Sequence, residues 1–464
     1  MRSPLSILLF VTLATTVALP AQPKDDGYRG IWYSNQPSKD EYRYKYSGGF
    51  ATYPQQQLLI AIYAKKVNKT FFCYGGRSRE KNELLHMVSY FDHTTGEVPR
   101  PTILLNKKTD DAHDNPTIML DDAGYVWIFS ASHGTSRPSW IHRSTKPYSV
   151  DEFEQIVETN FSYTHPWWMP GKGFLFLHTR YSANKGLGIA GVRGLHWMTS
   201  ANGRKWSEPR LLANIEMGDY QITWRRGDRL ASVFDYHPKP LGLNERSNIY
   251  YVETGDLGET WRTITGEPLT VPLTEAKNPA LVLDSRAEKQ LVYLKDLNFD
   301  ADGRPVILYL TSTGYESGPK SGPRQWNTLR WTGKEWARRP FTTSDHNYDH
   351  GSLYIEPDGT WRIIAPTEPG PQPWTTGGEM VMWTSGDQGA TWTKVKQLTR
   401  DSRFNHTYAR RPMDAHPSFY AIWADGNPLA PSESSLYFTN QAGDHVWRLP
   451  TKMSGDFAKP EVAW

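Results

Sequence analysis

Seven similar segments recur along this chain of 464 residues, at intervals of about 50 to 70 residues. Most of them continue through a polar turn into a second apolar run, which is the pattern of paired β-strands. A period of this length is typical of propellers and solenoids, in which a core forms only when neighbouring repeats stack. The segments begin near Tyr53, His113, His165, Tyr220, Asn278, His350 and His416.

A second repeat is interleaved with the first and has the form of an Asp box. Ser385–Trp392 fits the pattern Ser-x-Asp-x-Gly-x-Thr-Trp, Thr254–Trp261 fits it with threonine first, and Ser200–Trp206 is a degenerate copy. The aspartate and glycine of such a motif close a tight turn, and the tryptophan packs between sheets. We therefore expect a structural role for these motifs.

Together the two repeats predict an all-β fold, a seven-bladed β-propeller of four-stranded antiparallel blades, because radial closure leaves few exposed strand edges. Residues 22–464 form this single domain, and we expect 28–33 to complete the last blade. Residues 1–21 have a basic start, an apolar stretch and a small-residue end, which predicts a signal peptide. The protein is then secreted, to the periplasm or the medium.

Charge and cysteine content exclude several classes of protein. Lys+Arg of 52 against Asp+Glu of 49 leaves a net charge of +3, too balanced for a generic nucleic-acid binder. A single cysteine excludes an intrachain disulfide framework. No segment after the N-terminal one is apolar for a membrane-spanning length. We expect a monomer with no nucleic-acid or membrane partner.

Antiparallel strands place the start of strand A, the end of strand B and the start of strand C on one face of a propeller. That face then gathers His113, His133, Tyr181, Arg193 and Tyr236 from blades two to four. Histidine accepts protons near neutral pH, tyrosine can donate one to a leaving oxygen, and arginine can neutralise a carboxylate. The set suits proton abstraction beside a uronate carboxylate followed by β-elimination, although each residue can instead be structural.

Several runs resemble the propeller-type ulvan lyases, polysaccharide lyase families twenty-four and twenty-five, with the shorter family twenty-five form the more similar. They are GYRGIWYS (27–34), KYSGGFATYP (45–54), KTFFCYGG (69–76), LLHMVSYFDHTTGEVPRPT (84–102), DAHDNPTI (111–118), YVWIFSASHG (125–134), GKGFLFLHTRY (171–181) and DAHPSFYAIWADGN (414–427). The resemblance implies β-elimination of ulvan, a sulfated rhamnose–uronic acid polysaccharide of green algae, leaving an unsaturated uronyl end. The implied partner is thus an acidic sulfated polysaccharide.

The same resemblance implies a role for individual residues. His113 corresponds to the catalytic base, Tyr181 to the proton donor and Arg193 to the group that neutralises the carboxylate. His133 and Tyr236 correspond to substrate-binding residues. Arg180 and Arg246 are alternatives to Arg193 and are otherwise expected to bind substrate.

The chemistry requires no cofactor, and the resemblance suggests a structural metal ion, zinc or calcium. The candidate ligands are His350, His416 and Cys73, and no established metal-ligand spacing connects them.

Two other functions remain open at this point. A sialidase-like glycoside hydrolase also carries Asp boxes, but it needs an arginine triad and an early Arg-Ile-Pro segment that this sequence lacks. A glycan-binding propeller without catalytic activity is the second alternative.

Overall fold

The computed structural model describes residues 22–53, 57–184 and 189–464, and it confirms the seven-bladed β-propeller. Each blade is an antiparallel sheet whose four strands, A to D, are connected in chain order from the axis outward. Helical structure among the described residues is confined to four 3-10 turns, Lys65–Val67, Ala112–Asp114, Gly242–Asn244 and Pro319–Ser321.

The strands of the first three blades follow the predicted repeats. Blade 1 consists of Ala61–Ala64, Lys69–Arg77, Leu84–Asp92 and Thr102–Asn106. Blade 2 consists of Pro116–Leu120, Val126–Ser130, Ser139–Ser144 and Phe153–Thr159. Blade 3 consists of Ser162–Met169, Gly173–Asn184, Ile189–Ser200 and Arg210–Ala213.

Of the remaining blades, the fifth and sixth have four strands, whereas the fourth and seventh carry additional short strands. Blade 4 has Asp219–Arg226, Arg229–Tyr236, Ser247–Thr254, Trp261–Arg262 and Pro268–Leu269, with Leu281–Leu283 also paired to its third strand. Blade 5 has Leu291–Phe299, Pro305–Ser312, Arg324–Trp331 and Trp336–Ser344. Blade 6 has Ser352–Ile355, Trp361–Glu368, Glu379–Ser385 and Thr393–Gln397. Blade 7 has Asn405–Arg410, Ala421–Gly426, Leu436–Thr439, Val446–Arg448 and Glu461–Val462.

Two of the seven predicted repeat starts are wrong. Asn278 precedes Leu281–Leu283, but this strand pairs with the third strand of blade 4. The first strand of blade 5 begins only at Leu291. His416 lies between the first and second strands of blade 7, on the face opposite the predicted site. In both places an apolar run follows a polar residue, as it does at a true first strand. The run nevertheless does not form the first strand of a blade.

The ring closes through the segment 24–31, which crosses from blade 7 to blade 1. The Gly30 N–H donates to the Ser434 carbonyl of blade 7 at 2.9 Å, and the Ile31 N–H donates to the Gly75 carbonyl of blade 1 at 2.9 Å. The expectation that 28–33 completes the last blade is wrong, because Glu461–Val462 forms the outer edge of that sheet. The N-terminal segment instead ties the two blades together.

A two-stranded hairpin follows this closing segment. It consists of Trp32–Pro37 and Tyr44–Gly49, antiparallel, with Asn35 opposite Tyr46. A further pair, Val98–Pro99 with Phe457–Ala458, joins blade 1 to the C-terminal segment.

The Asp boxes are turns between the third and fourth strands, as expected. Asp256 accepts hydrogen bonds from the Thr254 hydroxyl at 2.8 Å and from the Thr260 N–H at 2.9 Å, and Asp387 repeats this arrangement in blade 6. The box glycines Gly258 and Gly389 have φ values of +84° and +82°, and a Cβ on Gly258 would lie 2.4 Å from Trp197 of blade 3. The motif therefore fixes the turn and the contact with the next blade.

The predictions about membrane insertion and about export concern different parts of the chain. Within the described ranges no helix is long and apolar enough to cross a membrane. The predicted signal peptide, residues 1–21, lies outside the described residues, so its assignment stays a prediction.

We predict that Trp261→Ala lowers the free energy of unfolding by about 3–5 kcal/mol, because it removes a buried indole and leaves a cavity. Trp261 is 1% exposed and packs edge-on against Trp197 with ring centroids 5.6 Å apart. Trp374→Ala is the matched control, since this side chain is 38% exposed. Chemical denaturation measures both variants, and an equal, small effect would contradict a packing role for the Asp-box tryptophan.

Candidate active site

A cleft of about 140 Å³ opens on the face that carries the starts of the first strands. One wall is the hairpin that follows the closing segment, and the others come from blades 2 to 4 and from the segments that lead into blades 1 and 6. Its lining is mostly tyrosine, histidine and arginine, which suits a polar, anionic ligand. The lining residues are Asn35, Gln36, Tyr46, Tyr53, His113, His133, Arg193, Tyr220, Leu243, Arg246 and Tyr348.

The Asp111 carboxylate joins the two candidate histidines. Its Oδ1 lies 2.6 Å from His113 Nδ1, and its Oδ2 lies 2.8 Å from His133 Nδ1. The two imidazoles stack with centroids 4.1 Å apart. Burial acts to raise the pKa of Asp111, but the adjoining imidazoles outweigh it and hold this pKa well below its usual range. Asp111 is therefore an anion that accepts the Nδ1 protons and leaves each Nε2 as the basic atom.

Local chain geometry sets this arrangement. Asp111 caps the short turn Ala112–Asp114 by accepting the His113 N–H at 3.0 Å. The next carboxylate, Asp114, accepts the His133 N–H at 2.7 Å and two hydrogen bonds from Arg137, at 2.8 and 2.9 Å. One capped turn thus places both histidines by their backbones as well as by their rings.

The Nε2 atom of His113 is enclosed by tyrosines. Tyr53 Oη lies 2.7 Å from it and Tyr46 Oη lies 3.0 Å from it. Burial and the neighbouring His133 lower the pKa of His113, against the opposing effect of Asp111, so the ring is neutral at neutral pH. Burial also raises the pKa of both tyrosines well above the ordinary value, so they are hydrogen-bond donors to this nitrogen.

His133 is more open to the cleft than His113. Its side chain is 30% exposed, against 4% for His113. Its Nε2 has no hydrogen-bond partner among the described residues, and its ring is edge-on to Tyr181 with centroids 5.7 Å apart. The free lone pair of His133 therefore lies beside the candidate proton donor.

Strand register brings Tyr181 and Arg193 together. They are directly opposite in the second and third strands of blade 3, so their side chains lie on one face of the sheet. Arg193 Nε donates to Tyr181 Oη at 3.2 Å. Burial raises the pKa of Tyr181 to about 12, with Tyr220 adding to the rise and Arg193 opposing it. Tyr181 is thus a protonated phenol in contact with a cation.

A row of hydrogen-bonded tyrosine hydroxyls extends from this pair. Tyr163 Oη lies 3.3 Å from Tyr181 Oη and 3.1 Å from Tyr220 Oη. Arg246 NH2 donates to Tyr348 Oη at 3.0 Å, and its guanidinium lies 5.3 Å from the centre of the Tyr220 ring. Two arginines, Arg193 and Arg246, therefore reach the cleft on a framework of neutral phenols.

The structure brings five of the seven predicted catalytic and substrate-binding residues to this place and leaves two aside. Tyr236 is buried beside the site, and its hydroxyl accepts a hydrogen bond from Arg286 at 2.7 Å. Arg180 is opposite Gly194, one position from Tyr181, so its side chain lies on the other face of the sheet. Neither residue lines the cleft. Tyr181 does not line it directly either, but it contacts Arg193 and His133, which do.

The predicted metal ligands do not come together. Cys73 is buried in blade 1, His350 stacks on Tyr408, and His416 stacks on His93 on the opposite face. Throughout the described chain, the one group of three or more potential ligands within mutual reach is Asp111, His113 and His133. A metal there would replace the protons that these three residues share, and the expectation of a structural ion stays untested.

Sequence reasoning missed Asp111, Asp114 and Tyr163 as members of the site. The polar run 111–115 marked the region as unusual, and the two carboxylates flanking His113 were the available signal. Tyr163 gave none, because nothing in a sequence rich in tyrosine distinguishes it.

Comparison with known proteins gives the same fold and names a family. The model of the BNR repeat-containing family matches residues 98–344. An ulvan lyase of Nonlabens ulvanivorans is 24% identical over 355 residues, which cover 69% of this chain and 72% of the relative. An ulvan lyase of Alteromonas sp. (strain LOR) is 23% identical over 382 residues, which cover 73% of this chain and 76% of the relative.

A solved structure extends the likeness to nearly the whole fold. It is a PL25 ulvan lyase bound to -[GlcA(1-4)Rha3S]-, with a TM-score of 0.69 and 17% identity. The match covers 90% of this chain and 96% of that one. At this identity the likeness concerns the propeller itself.

We predict that Asp111→Asn lowers the pKa of His113 further, because the carboxylate is the group that opposes burial and His133. Asparagine still caps the turn, so the change removes charge and retains the fold. Histidine proton resonances followed through a pH titration give the measurement. Asp110→Asn, an exposed neighbour, is the control, and an unchanged or higher His113 pKa in Asp111→Asn would refute the electrostatic link.

Proposed function

The chain belongs to the BNR repeat-containing family, and from that premise we propose that it is a polysaccharide lyase that cleaves ulvan by β-elimination. The observation that carries the proposal is the contact of a buried, protonated phenol, Tyr181, with a guanidinium, Arg193, beside two imidazoles that share one carboxylate. This set supplies a proton acceptor, a proton donor and a fixed cation within one cleft.

The elimination needs all three groups. The acceptor takes the proton on C5 of the uronate, and the electron pair of that C–H bond forms the C4–C5 double bond. The C4–O bond then breaks, and the leaving oxygen takes the proton of the donor. Because negative charge develops on the uronate carboxylate as the C5 proton leaves, a cation fixed there stabilises the transition state.

Tyr181 fits the role of donor. Its pKa of about 12 keeps it protonated over the physiological range, and the nearby Arg193 stabilises the phenolate left after transfer. Tyr163 hydrogen-bonds the same oxygen and holds the hydroxyl in place. Arg193 serves as the carboxylate-neutralising cation, and Arg246 adds positive charge to the same cleft.

The two histidines act as the proton-accepting unit. The resemblance assigns the base to His113, whereas the geometry of this structure gives the open Nε2 to His133. In the arrangement seen here His133 takes the proton, and Asp111 stabilises the resulting imidazolium. His113 holds Asp111 and the tyrosines in position by its hydrogen bonds.

The remaining expectations belong to this proposal. The chain acts as a monomer, and it is exported after removal of residues 1–21, which places it where an extracellular algal polysaccharide is found. The balanced net charge is compatible with a sulfated polymer because only the cleft needs to be positive.

We predict that the protein digests ulvan with a rise in ultraviolet absorbance from the new conjugated double bond. Tyr181→Phe removes the proton donor and should lower kcat by about 10²–10⁴-fold. Tyr63→Phe, on the opposite face, is the matched control and should digest ulvan like the parent protein. Reducing ends without absorbance would indicate a sialidase-like hydrolase, and binding without any cleavage would indicate a glycan-binding propeller.

The same assay separates the two histidines, with His133→Gln and His113→Gln compared under one set of conditions. We expect His133→Gln to lower kcat by about 10²–10⁴-fold with KM little changed, because the proton acceptor is gone. His113→Gln should keep measurable turnover at a reduced rate, because it loses only the hydrogen bonds that position Asp111 and the tyrosines. The reverse pattern would assign the base to His113.

A further inference from the structure

The loop that carries His133 spans residues 131–138 and has no regular secondary structure. It joins the strands Val126–Ser130 and Ser139–Ser144 of blade 2, and its tip, residues 135 and 136, is exposed to solvent. Loops of this kind are usually more mobile than the strands that they connect. The position of the imidazole in the cleft therefore depends on the contacts that fix this loop.

Lys107 holds both ends of the 131–138 loop from the neighbouring blade. It follows the last strand of blade 1, Thr102–Asn106, and is only 5% exposed. Its Nζ donates to the Ser132 hydroxyl at 2.8 Å and to the Pro138 carbonyl at 2.9 Å. The same ammonium lies 4.5 Å from the centre of the Trp140 ring, in the strand that the loop enters. One side chain of blade 1 thus joins the start and the end of a loop in blade 2.

A buried carboxylate completes this arrangement. Asp114 Oδ2 lies 3.5 Å from Lys107 Nζ, and the Asp114 side chain also accepts from the His133 N–H and from Arg137. Burial lowers the pKa of Lys107 to about 8 and the attraction of Asp114 opposes the fall, so the lysine is a cation at neutral pH. Because a buried ion without its partners is costly, the loop cannot leave this position without a loss of stability.

We infer that Lys107 is a positioning residue for the proton acceptor, and that it acts by holding the 131–138 loop so that the His133 ring stays in place. The inference rests on the proposed function and adds a residue that does not line the cleft. The connection is short, because Lys107 binds the side chain of the residue that directly precedes the imidazole. A displaced loop would take the ring away from Asp111 and from Tyr181, and a misplacement of about 1 Å can cost about 10²-fold in rate.

The first test measures ulvan digestion by Lys107→Met. Methionine has a similar length but neither charge nor donor, so the change removes the contacts to the loop and keeps the volume. We expect kcat to fall by about 10- to 100-fold with KM little changed, because the loop carries the proton acceptor and the arginines of the cleft stay in place. Lys334→Met, at an exposed lysine on the opposite face, is the control and should change neither quantity.

The ring of His133 gives a second measurement that does not depend on turnover. Its proton resonances, assigned with His133→Gln, should shift or broaden in Lys107→Met, whereas those of His416 on the opposite face should stay unchanged. Ser132→Ala removes one acceptor of the ammonium and no charge, so it guards against a folding defect. It should lower kcat by a smaller factor than Lys107→Met, with thermal unfolding confirming that both variants are folded.

Two results would overturn the inference. One is a lower kcat together with a lower unfolding temperature and unchanged His133 resonances, which would make Lys107 a purely structural residue. The other is full kcat in both Lys107→Met and Ser132→Ala. Failure of the lyase proposal is a separate result, since the parent protein would then leave ulvan intact while the His133 resonances still show whether Lys107 holds the loop.

Discussion

The structure depends on joining the first blade of the ring to the last. The ring of blades stays closed only while this seam holds, and here a short N-terminal segment holds it by backbone hydrogen bonds to Ser434 on one side and Gly75 on the other. A Cβ on Gly30 would lie 2.6 Å from Ser434 Oγ, so the close approach of the closing segment to its neighbouring backbone segments requires glycine. The same segment continues directly into the hairpin Trp32–Gly49. The segment that closes the ring therefore also builds the site. Its hairpin carries Tyr33 and Tyr46 to His113, and it carries Lys45 to a groove on the other side of the hairpin.

Charge in the site is arranged around neutral phenols. The cations Arg193, Arg246 and Lys45 repel one another, and tyrosines surround the two guanidiniums. Burial raises the pKa of the surrounding tyrosines, so they solvate the cations through oxygens and ring faces without cancelling their charge. The carboxylate of Asp111, which contacts the rings of both candidate histidines, is shared between the two imidazoles. The cleft therefore keeps its positive potential for a polyanion although the protein as a whole is almost neutral.

The repeat in the sequence was sufficient for the fold, and strand direction was sufficient to group His113, His133, Tyr181 and Arg193, although it wrongly added Tyr236 to them. These predictions succeeded because each depends on local periodicity and on the fixed direction of antiparallel strands. Asn278 and His416 failed because an insertion in blade 4 and a long connection in blade 7 imitate a first strand, and only non-local pairing distinguishes them. Asp111 was missed as a functional group for a related reason. Its importance lies in touching two rings that are 20 residues apart in the chain, which no local pattern shows.

The register of one strand pair accounts for the placement of the chemistry. Tyr181 and Arg193 are directly opposite in the second and third strands of blade 3, and Tyr181 meets His133 across the boundary with blade 2. Successive side chains of a strand lie on opposite faces of its sheet, so a shift of the sequence by one residue would turn the phenol to the face where Arg180 now lies. Such a shift would leave the other blades, their Asp boxes and their buried tryptophans in place, yet it would separate the phenol from the guanidinium. The fold is thus shared with proteins of many functions, and the side chains of one strand pair together with the closing segment make this face a reactive one.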